Sequence, residues 1–204
     1  MVNKNQFYVI DYSPDGKKLP LYIDKVFTPE LPYFDIFIAP PKQNEFAKAY
    51  VLDTSVQEIE GDYFVEDDIA SERLVQLCRS MNINFISIPL EIKSREVHCN
   101  YNLFYLADYI SIIDTEKSIY EISKDLETGR LNTPDEMGLD KVYYENITRF
   151  IVKDNIDKDL FFCKDIIKHV CSENFKETFE RNKLSGVSFT PINNEYTFDA
   201  WEGM

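Results

Sequence analysis

Glycine is scarce in this chain, six in 204 residues, and none of the six sits in a GxGxxG, Walker A or GxSxG arrangement. Phosphate-cradling loops need glycine where backbone amides approach the ligand, and a nucleophile elbow needs it beside the serine. Nucleotide-binding and hydrolase chemistry therefore lose their usual signatures. Histidine is scarcer still, with only His98 and His169. His98 and Cys99 form no convincing dyad, because adjacent residues on a strand point to opposite faces. The four cysteines, Cys78, Cys99, Cys163 and Cys171, contain no CxxC pair. Cys163, His169 and Cys171 follow no common zinc spacing and lack an obvious fourth ligand. Asp62, Asp67 and Asp68 lack the turn glycine and terminal glutamate of a calcium loop. No metal, cofactor or catalytic residue is expected. No run of about 18 apolar residues exists, so no membrane-spanning helix is expected. The first residues lack the apolar core and cleavage site of a signal peptide. The expectation is a cytoplasmic protein with free thiols.

Positive charge is also in deficit. The chain has 22 Lys and Arg against 36 Asp and Glu, a net charge of −14 and a pI of about 4.6. Phosphate recognition requires clustered bases, so neither nucleic acid nor an anionic membrane is an expected partner. The imbalance is uneven. Residues 1–50 hold six acids and six bases, and all of the excess lies in residues 51–204. Residues 53–72 carry eight acids and no base. Two readings are open: a solvated, solubilising face, or an electrostatic landing face for a basic partner.

What is abundant is apolar and aromatic: 44% hydrophobic residues, with 15 Phe and 13 Tyr, ample for a packed core. Residues 7–12 (Phe-Tyr-Val-Ile-Asp-Tyr) read as a strand, ended by the turn Ser13-Pro14-Asp15-Gly16. Residues 20–41 contain five prolines, each removing a backbone donor, so extended segments are expected there, with a short strand at 33–38. The charge shift near residue 50 divides a Pro-rich N-terminal β layer (1–50), not expected to be independent, from an acidic α+β domain (51–204). Residues 101–114 read as a buried strand interrupted at Ala107-Asp108, and 139–152 as strands around a polar bend. Residues 127–138 read as a surface loop.

An internal repeat organises the acidic part. The apolar stretch Tyr63-Phe64-Val65-Glu66-Asp67-Asp68-Ile69 is followed by Ser71-Glu72, and Phe161-Phe162-Cys163-Lys164-Asp165-Ile166 by Ser172-Glu173. Each serine is placed as a helix N-cap, with glutamate favoured in the first turn. Helical spacing follows in both copies, then a β-rich segment ending at Pro89 or Pro191. The expected class is α+β: mixed sheets, two repeated strand–helix–strand units at 63–90 and 161–192, and few helices.

The stretches Asn102-Leu103-Phe104-Tyr105, Ile113-Asp114-Thr115-Glu116-Lys117-Ser118, Asp159-Leu160-Phe161-Phe162, Ser172-Glu173-Asn174-Phe175-Lys176 and residues 184–191 carry a resemblance. Across roughly residues 60–192 the chain resembles a family of bacterial immunity proteins from polymorphic toxin systems, first catalogued as a domain of unknown function in myxobacteria and other bacteria. The resemblance implies an antidote that binds and neutralises a secreted toxin domain encoded beside it, and it carries over no binding residues. An acidic antidote would be steered to a basic toxin such as a nuclease, with affinity supplied by desolvated aromatic anchors. The candidate partner-binding residues are Asp62, Tyr63, Phe64, Glu66, Asp67, Asp68 and Trp201. For Trp201, a tail pinned to the body is the competing reading. A secretion adaptor or chaperone for a basic effector, or an enzyme with a carboxylate-only site, are the alternative functions.

Overall fold

A computed structural model describes residues 6–15 and 18–202. In the first half lie β1 (Phe7–Tyr12), β2 (Val26–Thr28), β3 (Tyr50–Asp53), β4 (Glu58–Ile59), β5 (Tyr63–Phe64), β6 (Ile69–Ser71), helix α1 (Glu72–Ser80), β7 (Phe85–Lys93) and β8 (Glu96–Val97). There follow β9 (Tyr101–Leu106), β10 (Tyr109–Ile110), β11 (Ile119–Ile122), helix α2 (Pro134–Met137) and β12 (Tyr144–Arg149). The chain closes with β13 (Leu160–Cys163), β14 (Lys168–Ser172), helix α3 (Glu173–Arg181), β15 (Val187–Ile192) and β16 (Phe198–Asp199). The fold is α+β, with mixed sheets and few helices.

Two sheets dominate. One runs β2-β3-β7-β9-β6-β5 and the other β10-β13-β14-β1-β15. Period-2 alternation lets one strand serve two cores. On β1, Phe7 and Val9 enter a cluster with Ile147, Phe150 and Phe161, while Ile10 enters the cluster holding both long helices. On β9, Tyr101, Leu103 and Tyr105 face one core, and Phe104 and Leu106 face the helices. The central core is therefore shared, with α1 contributing Leu74, Val75, Leu77 and Cys78, and α3 contributing Phe175 and Phe179. Full burial of such a side chain stabilises by roughly 1.5–3 kcal/mol. The outer face of the first sheet is covered by residues 20–47, that of the second by the small sheet β11-β12-β16.

The two repeats fold alike. Each is a hairpin, then a helix, then a strand, so the simple strand–helix–strand expectation gains one strand per copy. Ser71 accepts the Leu74 amide at 3.2 Å, and Ser172 accepts the Phe175 amide at 3.2 Å. Each N-cap serine also donates to an aspartate at the start of its hairpin, Ser71 to Asp62 at 2.6 Å and Ser172 to Asp159. Both hairpin turns carry a left-handed residue, Asp68 (φ 54°) and Ile167 (φ 56°), and both helices end on one, Asn82 (φ 55°) and Lys183 (φ 53°). In each sheet a foreign strand lies between the hairpin and the third strand: β9 between β6 and β7, β1 between β14 and β15. Both inserted strands are antiparallel to their neighbours.

Several expectations need correction. Residues 33–38 are irregular at 33–35 and a turn at 36–38, not a strand: Tyr33 and Phe37 are exposed and the segment joins no sheet. The first repeat's last strand continues past Pro89 to Lys93, since β3 pairs with it from Leu90 onward. Residues 139–152 give one named strand, β12, followed by an isolated bridge at Val152. Residues 127–138 include the short helix α2, capped by Thr133. The turn read at 13–16 ends on Gly16, outside the described residues. The segment before residue 50 contributes β1 to one large sheet and β2 to the other. Among the described residues no helix is long and apolar enough to cross a membrane.

Candidate partner-binding face

The acidic stretch 53–72 has no base of its own, but the fold brings five to it. Lys93 lies 3.6 Å from Asp53, and Lys18 contacts both Glu58 and Glu60. Arg73 lies 3.3 Å from Asp62, Lys25 2.7 Å from Asp67, and Arg79 3.2 Å from Glu72. Among the described residues only Glu66 and Asp68, of the eight acids, make no ion pair. Local sequence counting misses this because every neutralising base comes from outside the stretch.

Three of the named residues leave the accessible surface. Asp62 is 3% exposed: it accepts the Ser71 hydroxyl and the Ser185 amide at 3.0 Å, besides pairing with Arg73. Its work is to fasten the first hairpin to α1 and to the loop after α3. Tyr63 and Phe64 are fully buried. The Tyr63 hydroxyl meets His169 Nδ1 at 2.7 Å, a bond between the two repeats, and Phe64 packs on Tyr12 and Tyr101. Both are core residues and cannot act as contact anchors in this fold. Their aromatic character is as well explained by packing, which is why sequence alone ranked them with surface candidates.

Glu66 and Asp68 line a cleft of ≈ 320 Å³ between the two hairpin turns, together with Ile36, Phe37, Lys168 and His169. Burial pushes the Asp68 carboxyl up to about 7, Lys25 working against the shift and Asp67 with it. Burial also lowers His169 to about 4, so the ring is neutral at pH 7. Trp201 is 60% exposed and lines a separate cavity of ≈ 670 Å³ beside Leu126, which is completely exposed. The pinned-tail reading thus holds for neighbouring Phe198, which packs in the third core, and not for the indole.

Exposed large hydrophobic residues gather in a segment whose sequence points only to extended chain. Of the ten exposed large hydrophobic residues among the described residues, six fall between positions 21 and 38: Leu21, Tyr22, Val26, Tyr33, Phe37 and Ile38. Ile23, Phe27, Leu31, Phe34 and Ile36 of the same segment face inward onto the six-stranded sheet. The strap therefore carries large apolar side chains on both sides, those on the outside interspersed with exposed Lys25, Glu30 and Asp35. Its inner side explains the fold, and its outer side has no structural reason. The strap is anchored by Tyr12 donating to Pro20 O at 2.6 Å, Tyr109 donating to Ile36 O at 2.7 Å, and Lys141 donating to Phe37 O. The signal was available in sequence: a proline-rich stretch whose hydrophobic residues exceed what one face can bury.

Glu58, Glu60 and His98 form the one cluster with metal-ligand proximity among the described residues. Lys18 contacts both carboxylates, so an ammonium already supplies the positive charge there. Cys163 and Cys171 lie in different cores on opposite faces of their sheet, so with His169 they do not converge. No family model and no curated protein matches the chain.

Proposed function

We propose that this chain acts by binding a protein partner through the outer face of its N-terminal strap, and that it serves as an antidote to a bacterial toxin domain. The observation that carries the binding role is the strap's outward apolar face, six large side chains held on a well-anchored segment. Such a face is costly to leave in water and is the usual mark of an interaction site. Tyr22, Tyr33 and Phe37 are residue types suited to anchoring an interface. The antidote role comes from the resemblance to immunity proteins and from the net charge of −14, which would steer a basic toxin toward the chain.

The test is rescue. Co-expression should protect cells from the toxin domain encoded beside this gene, and the purified chain should inhibit that domain stoichiometrically. Tyr22→Ala, Tyr33→Ala and Phe37→Ala together should abolish rescue while leaving the melting temperature within a few degrees. Full rescue by the triple variant would refute this face. Binding without inhibition would favour a secretion adaptor or chaperone. An enzyme with a carboxylate site is the second reading, favoured by the raised Asp68 beside Glu66 in one cleft. Catalytic turnover lost in Asp68→Asn would support it.

A further inference from the structure

The second large sheet stops where the first continues. Matched through their repeats, the strand orders are β5-β6-β9-β7-β3-β2 and β13-β14-β1-β15, so β15 stands where β7 does with nothing in the place of β3. On β7 that place is filled, β3 pairing along Leu90–Lys93 on the side away from β9. On β15 it is an edge. The bonding phase of that edge follows from the pairing with β1. The Ser13 amide donates to Gly186 O at 2.9 Å. Bonded pairs alternate along an antiparallel ladder, so Asp11–Ser188 and Val9–Thr190 are the next two. The amides and carbonyls of Val187 and Phe189, and the Pro191 carbonyl, therefore point away from β1. Among the described residues no backbone group meets them. Proline fits at 191 for this reason, since its missing N–H would face outward. Exposed edges are usually guarded by charged side chains, bulges or proline. Here residues 184–194 hold no charge, and Pro191 guards only one position. Helix α3 packs against β14 and β1, one strand in from the edge.

We propose that this edge pairs with β15 of a second copy of the chain, antiparallel about a two-fold axis at Phe189, joining two sheets into one. The strand is self-complementary in that register. Phe189 meets its own copy, Ser188 meets Thr190, and Val187 meets Pro191, so an aromatic pair is flanked by hydroxyl pairs. The two Phe189 residues exchange amide–carbonyl bonds, and each Val187 amide donates to a Pro191 carbonyl. Charge selects the same orientation. Lys183 and Glu195 bound the uncharged run. Antiparallel pairing brings the Lys183 end of one copy to the Glu195 end of the other, whereas parallel pairing aligns like charges. A strand from another protein would find the same backbone groups but not this matched set of side chains and ends. The pairing uses no residue of the strap and stands apart from the antidote reading.

The test is sedimentation equilibrium on the full chain at about 0.15 M salt, which screens charge beyond about 8 Å. The mass should rise with concentration from 24.0 kDa toward twice that value. Ser188→Lys with Thr190→Lys sets like charges directly opposite each other and should hold the chain at the monomer mass. Ser188→Glu with Thr190→Glu should do the same, and mixing the two double variants should restore the dimer. Both side chains are exposed, so the variants should keep the melting temperature of the parent. Cysteine reads the register without added charge. Positions 188 and 190 oppose each other as a non-hydrogen-bonded pair with Cα atoms about 4.5 Å apart, within disulfide reach. Ser188→Cys mixed with Thr190→Cys should cross-link on mild oxidation far more than either variant alone. A mass of 24.0 kDa at every concentration up to about 1 mM would overturn the proposal and leave the edge to a strand from another protein. So would a dimer that persists in both charged variants, or cross-linking no greater in the cysteine mixture than in its components.

Discussion

The two repeats share hairpin, helix, caps and inserted strand, yet they complete their sheets differently. The first receives β9, which follows it in sequence, and the second receives β1 from the other end of the chain. They also pin each other unequally. The loop after α3 reaches the first hairpin directly, Ser185 O accepting the amides of Asp62 and Tyr63. The loop after α1 reaches the second hairpin through a relay: Asn84 donates to Asp108, whose carbonyl accepts the Phe162 amide. The lesson is that local sequence sets the repeat, while long-range partners decide how tightly each copy is held.

The largest effect should follow from breaking the long-range completion. Deleting residues 1–12 removes the strand between β14 and β15, together with Phe7, Val9 and Ile10 from two cores. The truncated chain should lose cooperative unfolding in calorimetry, and a synthetic peptide of residues 1–15 should restore it. A cooperative transition without the peptide would show that the second repeat does not depend on β1. Next comes the direct pin. Gly186 has φ +108°, and a Cβ there would lie 2.5 Å from Tyr63 O. Gly186→Ala should cost about 3 kcal/mol or more in chemical denaturation, from backbone strain and overlap together.

The cleft between the repeats gives an acid–base comparison. His169 titrates at about 4 in the fold against an ordinary 6.5, so the unfolded chain binds the extra proton between those values. Its contribution is present above pH 6.5 and is lost as pH falls toward 4, about 3 kcal/mol in all. Asp68 has the opposite sign. Its carboxyl titrates at about 7 against an ordinary 3.8, so the fold binds the extra proton and stability falls as pH rises from 3.8 to 7. The two slopes oppose each other in the wild type. Asp68→Asn, which suits a left-handed backbone, should expose a loss of stability on acidification from pH 6.5 to 4. His169→Phe should show a gain over the same range. Parallel pH profiles for the two variants would contradict these assignments.

The smallest contrast concerns the matched aspartates. Asp62 is buried and serves Ser71, Arg73 and Ser185, whereas the half-buried Asp159 serves Ser172 and Asn174. Asp62→Ala should cost about 2–3 kcal/mol and Asp159→Ala about 1 kcal/mol, read from urea midpoints. Equal costs would mean that the unequal pinning has no energetic weight.

Much of this architecture is legible in sequence because its signals are local. Ser71-Glu72 and Ser172-Glu173 announce the two long helices, and the apolar run before the turn residues Ser13-Pro14-Asp15-Gly16 marks β1. The insertion of β1 and β9 was not legible, since pairing partners far apart in sequence leave no periodic trace. The acidic stretch misled for the same reason: Lys18, Lys25 and Lys93 neutralise it only after folding. Of the candidate residues, Glu66, Asp67, Asp68 and Trp201 keep access to solvent, and Asp62, Tyr63 and Phe64 do not.

The most direct measurement is hydrogen–deuterium exchange on the chain alone and mixed with the toxin domain proposed as its partner. Protection concentrated at residues 21–38 is the expected footprint. Protection confined to the surface around Leu126 and Trp201, with the strap exchanging as fast as in the free chain, would contradict the assignment of the partner to the strap.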